Sequence, residues 1–282
     1  MDRLRVSAIS FLNTAPLMWD FEHGDAGQDF DIHYTIPAEC AAELADGRAD
    51  IGIIPAITYA QIPGLVILPN VAIAAKQAVR SILLISKKPL EDIRTVATDT
   101  SSRTSVALTQ ILFAKFFGGH REFSPHAPDL KEMLKEHDAA LLIGDSALQV
   151  SLHDSPYHLY DLGHEWRKLT GKPFVFAFWA VRFDALGRKP RELNLARTFQ
   201  RSRDHGLEPE NVAAIAQEWA PKLNLTESEV TIYLTDNIHY SLDRENHAGL
   251  QLFLNHAKEI GIIEAVPELR FLGPLAFGAS KR

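Results

Sequence analysis

The stretch Val6-Ser-Ala-Ile-Ser-Phe11-Leu-Asn13-Thr-Ala-Pro16-Leu decides the fold class. Its first half is a short apolar run, which predicts a strand over Val6–Phe11. Asn13 is a natural N-cap and Pro16 suits a first helical turn, so a helix is expected over Asn13–Glu22. Outward from this unit the rhythm repeats. Asp31–Ile36 reads as a strand, Ala38–Ala45 as a helix stopped by Gly47, and Asp50–Ile54 as a strand ending at Pro55. Val79–Ile85 reads as another strand. Strand and helix in alternation imply largely parallel strands covered by helices.

The pattern then restarts. Thr95–Thr98 reads as a strand and Thr104–Phe117 as a helix ended by Gly118-Gly119. Ala139–Ile143 is a buried strand with a helix from about Ser146, followed by strands at His158–Leu162 and Pro173–Val181. From Pro190 onward the chain reads as helices over Arg191–Asp204, Glu210–Leu223, Glu227–Leu242 and Arg244–Ile260. Thr226 and Glu229 have capping-box spacing. Leu250, Phe253, Leu254 and Ala257 fall on one helical face, a core stripe. A helical tail must pack on something, and the simplest path returns the chain to the first lobe near Trp179–Arg182. The expected architecture is α/β with two lobes and a cleft between them, the helical C-terminal region packed on lobe one. Lobe one would be 1–87 plus 180–282 and lobe two 88–179. Such a cleft is a default ligand site.

The 282 residues suit two domains, and 46% apolar with 23% charged residues is the balance of a globular protein. A net charge of −7 argues against a general nucleic-acid binder but leaves room for a locally positive site. The lone Cys40 cannot form an internal disulfide, which fits a reducing compartment, and its helical context reads as a buried inert thiol. No secretion signal or membrane-length apolar run is read, so a cytoplasmic protein is expected.

No familiar cofactor motif is read. Gly171-Lys172-Pro173 lacks the rest of a phosphate loop, and Gly144-Asp-Ser146-Ala-Leu148 fails the nucleophile elbow. His164-Glu165 lacks the second His of a zinc helix, and His153 with His158 reads as a surface pair. No metal or cofactor is expected.

Polar residues do gather at strand ends and helix starts, where open α/β sheets bind ligands. In Ser10-Phe-Leu-Asn13, Asn13 fits either a cap or an amide aimed into the cleft. In Asp99-Thr-Ser-Ser102-Arg103-Thr104-Ser105, hydroxyls beyond what capping needs meet free N–H groups, a carboxylate or phosphate cradle. Gly144 lets a backbone approach closely. Asp145 fits a cap, a hinge anchor or a base. Ser81, in an apolar strand, faces either a partner or the cleft.

Several of these stretches stand in order with others along nearly the whole chain. They are Ile9-Ser-Phe-Leu-Asn13-Thr-Ala-Pro-Leu, Ala49-Asp-Ile-Gly-Ile-Ile-Pro55 and Asp99-Thr-Ser-Ser-Arg-Thr-Ser-Val-Ala-Leu. Leu142-Ile-Gly-Asp-Ser-Ala-Leu, Tyr160-Asp-Leu-Gly and Thr170-Gly-Lys-Pro-Phe-Val-Phe-Ala complete the set. Together they resemble the chorismate dehydratases of the futalosine route to menaquinone. The resemblance implies the type II periplasmic-binding-protein fold, a cytoplasmic setting, chorismate as substrate and no redox or metal cofactor. It places Asn13 and Ser81 near the reacting ring and a substrate carboxylate on the Ser102–Ser105 turn. Ser10, Pro55, Arg103, Thr104 and Gly144 are expected as further substrate contacts. The base stays open between Asp145 and the substrate's own enolpyruvyl carboxylate, with the latter preferred.

Two other readings share the fold. A non-catalytic carboxylate-binding protein of the transport type would carry a secretion signal. The sister dihydroxynaphthoate synthase has a Cys-Pro-Asn-Asp-type turn where this chain has Phe11-Leu-Asn-Thr-Ala-Pro16. The sequence leaves the oligomeric state open.

Overall fold

The structure is a computed structural model that describes residues 3–152, 155–188 and 193–273. Strand β1 (Leu4–Ile9) leads through a tight turn into α1 (Ala15–His23). β2 (Phe30–Thr35), α2 (Pro37–Ala45), β3 (Ile51–Pro55) and β4 (Leu65–Ala75) follow. Next come β5 (Ile82–Ser86), β6 (Thr95–Asp99), α3 (Thr104–Lys115), β7 (Glu122–His126) and α4 (Leu130–Glu136). β8 (Ala139–Ile143), α5 (Gly144–Leu148), β9 (His158–Asp161), α6 (Leu162–Thr170) and β10 (Phe174–Arg182) complete the α/β part. The tail holds α7 (Leu195–Gly206), α8 (Pro209–Leu223), α9 (Glu227–Ile232) and α10 (Arg244–Glu259).

Two five-stranded sheets result, in the orders β2-β1-β3-β10-β4 and β7-β6-β8-β5-β9. In each, one strand runs against the others: β10 is antiparallel to both β3 and β4, and β5 is antiparallel to both β8 and β9. β5 therefore belongs to the second sheet and β10 to the first. The lobe limits 1–87, 88–179 and 180–282 expected from sequence cut both strands away from the partners they pair with. The chain crosses between sheets at 76–81 and again at 171–173. Periodicity identifies a strand, but only the hydrogen-bond ladder says which sheet holds it.

Side-chain alternation builds the core. On β5, Ile82 and Leu84 join the main apolar cluster, while Leu83 and Ile85 face a smaller one with Met133, Leu134 and Leu142. α7 packs on α1 and β4, and α10 lies on β10, so most of the tail covers the first sheet as expected. α10 also reaches the second lobe, where Lys115 pairs with Glu259 at 2.5 Å and the Trp166 ring meets Phe253. The capping box at Thr226 and Glu229 forms, and the stripe Leu250, Phe253, Leu254, Ala257 is buried. Among the described residues no helix is long and apolar enough to cross a membrane.

Three sequence expectations differ. Glu227–Leu242 is not one helix: α9 ends at Ile232, a π turn spans Tyr233–Asn237, and extended chain follows, with His239 bridging to Ala74. The helix expected over Arg191–Asp204 starts at Leu195, and residues 191 and 192 lie outside the described residues, as does His153. β4 was not read at all. Pro69 and a left-handed Asn70 (φ 60°) interrupt it, and its register on β10 shifts between Phe178 and Ala180. The carbonyls freed by this bulge are taken by α7: Gln200 Nε2 donates to Pro69 O at 2.7 Å, and the Arg203 guanidinium donates to Asn70 O.

The approach of α7 to α1 is closest at Gly206, where an added Cβ would lie 2.1 Å from Pro16 O. That atom is backbone and cannot step aside. Gly206→Ala is therefore expected to cost about 1–3 kcal/mol by forcing the helices apart. A thermal melt several degrees below the parent would show it, and an unchanged melt would refute the contact.

Candidate functional site

The C-terminal ends of β1, β3, β6 and β8 converge where the lobes meet. Between them lies a cavity of about 60 Å³. Its apolar walls include Ile9, Phe11, Pro55, Ile82, Ile143 and Phe176, and its polar wall is Asn13 with Ser102, Arg103, Thr104 and Ser105.

The polar wall is the start of α3. Asp99 ends β6 and folds the chain back, accepting from Ser101 N–H at 2.9 Å and Ser101 Oγ at 2.6 Å. No side chain caps α3. Its first-turn N–H groups, with the positive end of the helix dipole, therefore face the cavity beside Ser102 and Ser105. Neither of these two side-chain hydroxyls bonds to another described residue. Thr104 is already engaged across the cleft, its Oγ1 accepting from Ile57 N–H at 3.2 Å. Arg103 is exposed at the cavity's rim with no ion-pair partner among the described residues.

Asn13 sits within a 3₁₀ turn over Leu12–Thr14 and is not the cap of α1; that position is Thr14. Its amide accepts from Thr14 Oγ1 at 3.3 Å and lines the cavity. The sequence favoured a cap because a short polar side chain after a strand serves either purpose.

The lobes are clasped here. Asp145 Oδ1 accepts from Leu12 N–H at 3.1 Å. Gly144, with φ 55°, lies against the Phe11 ring, where an added Cβ would come within 2.8 Å. The close approach that Gly144 permits is thus to Phe11 as well as to the cavity. Asp145 does not cap α5 and stands behind the cavity wall. Burial pushes its carboxyl up to about 6, against the lowering effect of the Leu12 N–H.

Ser81 lies just before β5 and is fully buried behind the wall. It is held by the hinge segment. Its N–H donates to Val79 O at 2.8 Å, and its carbonyl accepts from Gly144 N–H at 2.8 Å. The neighbouring Arg80 is left-handed (φ 67°) and donates to the carbonyls of Ala147, Leu148 and Val150. Ser81 Oγ accepts from Tyr233 Oη at 2.8 Å. Tyr233 begins the π turn and was missed in the sequence, where it reads as one more helical core residue.

The structure thus brings Asn13, Pro55, Ser102, Arg103, Thr104, Ser105 and Gly144 into one cavity wall. Ser81 and Asp145 stand directly behind it. Ser10 is not part of it: the residue is exposed, and its N–H donates to Thr35 O. Among the described residues no three His, Cys, Asp or Glu side chains group as a metal site.

The native Asp145 carboxyl holds its proton to higher pH than the unfolded one does. The fold therefore loses stability as pH rises from about 4 to about 6, and the penalty is constant above. Asp145→Asn keeps an oxygen for Leu12 N–H and removes the charge. The variant's stability relative to the parent, followed by melting at each pH, should rise across that window by at most about 3 kcal/mol and level off above it. Parallel pH curves for the two proteins would show that Asp145 is not perturbed.

The menaquinone biosynthesis family matches residues 4–259. A chorismate dehydratase of Thermus thermophilus is 28% identical over 259 residues, which is 86% of this chain and 91% of that protein. A solved protein from Archaeoglobus fulgidus superposes with a TM-score of 0.69 at 17% identity, covering 93% of this chain and 98% of that one. The periplasmic aliphatic sulphonate binding protein of Escherichia coli gives 0.65 at 15% identity, covering 97% and 93%. These structural likenesses establish the periplasmic-binding-protein fold.

Proposed function

We propose, from the premise that the chain belongs to the menaquinone biosynthesis family, that its cleft binds chorismate and removes water from it to give 3-enolpyruvylbenzoate. The reaction belongs to the futalosine route and takes place in the cytoplasm on this reading. The observation that carries it is the composition of the cavity: apolar walls, hydroxyls, one amide and one arginine, with no carboxylate, imidazole or thiol among the lining residues.

Chorismate is a cyclohexadiene ring with two carboxylates. The apolar wall, which includes Phe11 and Phe176, suits the ring, and one carboxylate suits the α3 N-terminus with Ser102, Ser105 and Arg103. The cavity is smaller than the roughly 300–1,000 Å³ of ordinary small-molecule sites, so entry requires the Leu12–Asp145 clasp to open.

The chemistry breaks the ring C–H beside the enolpyruvyl ether and the neighbouring C–O bond. The proton and the hydroxide leave as water, and aromatisation supplies the driving force. The protein then has mainly to position groups and stabilise charge. Asn13 is too weak a base to take the proton, but its neutral amide can stabilise charge developing on the ring carboxylate. Asp145 is not among the residues lining the cavity, which favours the substrate's own enolpyruvyl carboxylate as base.

The direct test incubates purified protein with chorismate, without added metal or nucleotide, and follows an aromatic product. Binding without product would place the chain with the non-catalytic binders instead. Ser102→Ala with Ser105→Ala should weaken chorismate binding at least tenfold and leave melting near the parent. Thr104 is spared in that pair because it also ties the lobes. Binding at the parent level would show that α3 is no cradle.

Asn13→Ser should melt near the parent, since no cap is lost. Its turnover should fall about a hundredfold, the usual cost of one oriented donor. Parental turnover in that variant would remove Asn13 from the catalytic group.

A further inference from the structure

We propose that Tyr233 is a positioning residue: its phenol donates to Ser81 Oγ at 2.8 Å and so turns the Ser81 O–H toward the substrate. This deepens the dehydratase reading and rests on it.

The argument begins with hydroxyl bookkeeping. A serine hydroxyl has one hydrogen to give and two lone pairs to receive with. Tyr233 fills one lone pair. No described residue accepts the hydrogen of Ser81, although the side chain is fully buried. A buried donor without an acceptor is unfavourable, and a substrate oxygen in the cleft relieves it. The direction is available: Ile82 and Gly144, bonded to Ser81 through chain and carbonyl, both line the cavity.

The donor is held firmly. Tyr233 is 2% exposed and opens the π turn, in which Ile238 N–H donates back to Tyr233 O at 3.1 Å. Asn237 Nδ2 donates to Ala78 O at 3.2 Å, fastening the turn to the hinge segment that carries Ser81. A π turn gives up regular helical bonding, and such turns concentrate at functional sites. Burial holds the phenol well above its ordinary ionisation range, and the Asp145 carboxylate adds to this. The hydroxyl therefore remains a donor at any working pH. The Asn13 amide also acts on the ionisation of this phenol, so the ring lies near both groups expected beside the reacting ring.

Turnover of chorismate by Tyr233→Phe, Ser81→Ala and the double variant tests this. Y233F should lose about ten- to a hundredfold in kcat with KM within about threefold of the parent, and keep the parent's pH profile in shape, since the phenol never titrates. The double variant should be no slower than S81A, because the phenol acts only through the serine. It also removes both partners of the pair, leaving no unpaired buried group, so the comparison survives if Y233F folds poorly. A merely structural tyrosine would lower the melting temperature and leave kcat per folded molecule at the parent value; that result overturns the proposal, as do losses that multiply. A parent that consumes chorismate beside a fully active Y233F sinks this inference alone. A parent that leaves chorismate untouched sinks the dehydratase reading and this inference with it.

Discussion

β10 comes from beyond the whole second lobe, yet it is hydrogen-bonded between β3 and β4 of the first sheet. The pairing of Phe174 with Ala75 sets the end of β4 beside the start of β10. Both crossings between the lobes therefore leave from adjacent, laddered strand ends. Such a hinge constrains the second lobe to move about a short line instead of swinging freely. It also brings the C-terminal ends of β6 and β8 face to face with those of β1 and β3. The meeting of the α3 start with the turn carrying Asn13 and the clasp between Leu12 and Asp145 both depend on that alignment.

Much of this was legible in the sequence, and the failures have physical causes. The hydroxyl-rich start of α3 stood out because one cap needs one side chain and this turn offers several. β10 was legible as a strand, but its sheet was not, because apolar runs carry no record of their ladder partner. β4 escaped because Pro69 breaks the pattern, and only α7, more than a hundred residues later, satisfies the bulge it creates. Of the two readings Asn13 allowed, a helix cap and an amide toward the cleft, the cap is not formed, and the residue lines the cavity from a 3₁₀ turn. Tyr233 was invisible because a π turn has no sequence signature and an aromatic at helical spacing reads as core. Ser10 was over-read: it follows the end of β1, is exposed, and lies outside the cavity that its neighbours Ile9 and Phe11 line.

The electrostatics of the cleft follow from what is kept out of it. The chain carries a net charge of −7, yet the cavity wall holds one guanidinium, the open end of a helix dipole and no carboxylate. Asp145 stands behind Gly144, and its own desolvation raises its carboxyl toward neutrality. A dianion can enter such a site without meeting like charge. That choice has a chemical consequence. On the proposed reading, with no carboxylate or imidazole in the wall, the donors beside the reacting ring are neutral: the amide of Asn13, the hydroxyls of α3 and, from behind, Ser81, with the Arg103 guanidinium at the rim. Neutral donors contribute by orientation, and their effect falls steeply once a hydrogen bond lengthens or bends. Such a site gains little from chemical strength and nearly everything from rigidity. This is consistent with its polar groups being fixed by backbone turns, a left-handed Arg80 and a buried phenol, and with the lobes that carry them being joined by paired strands.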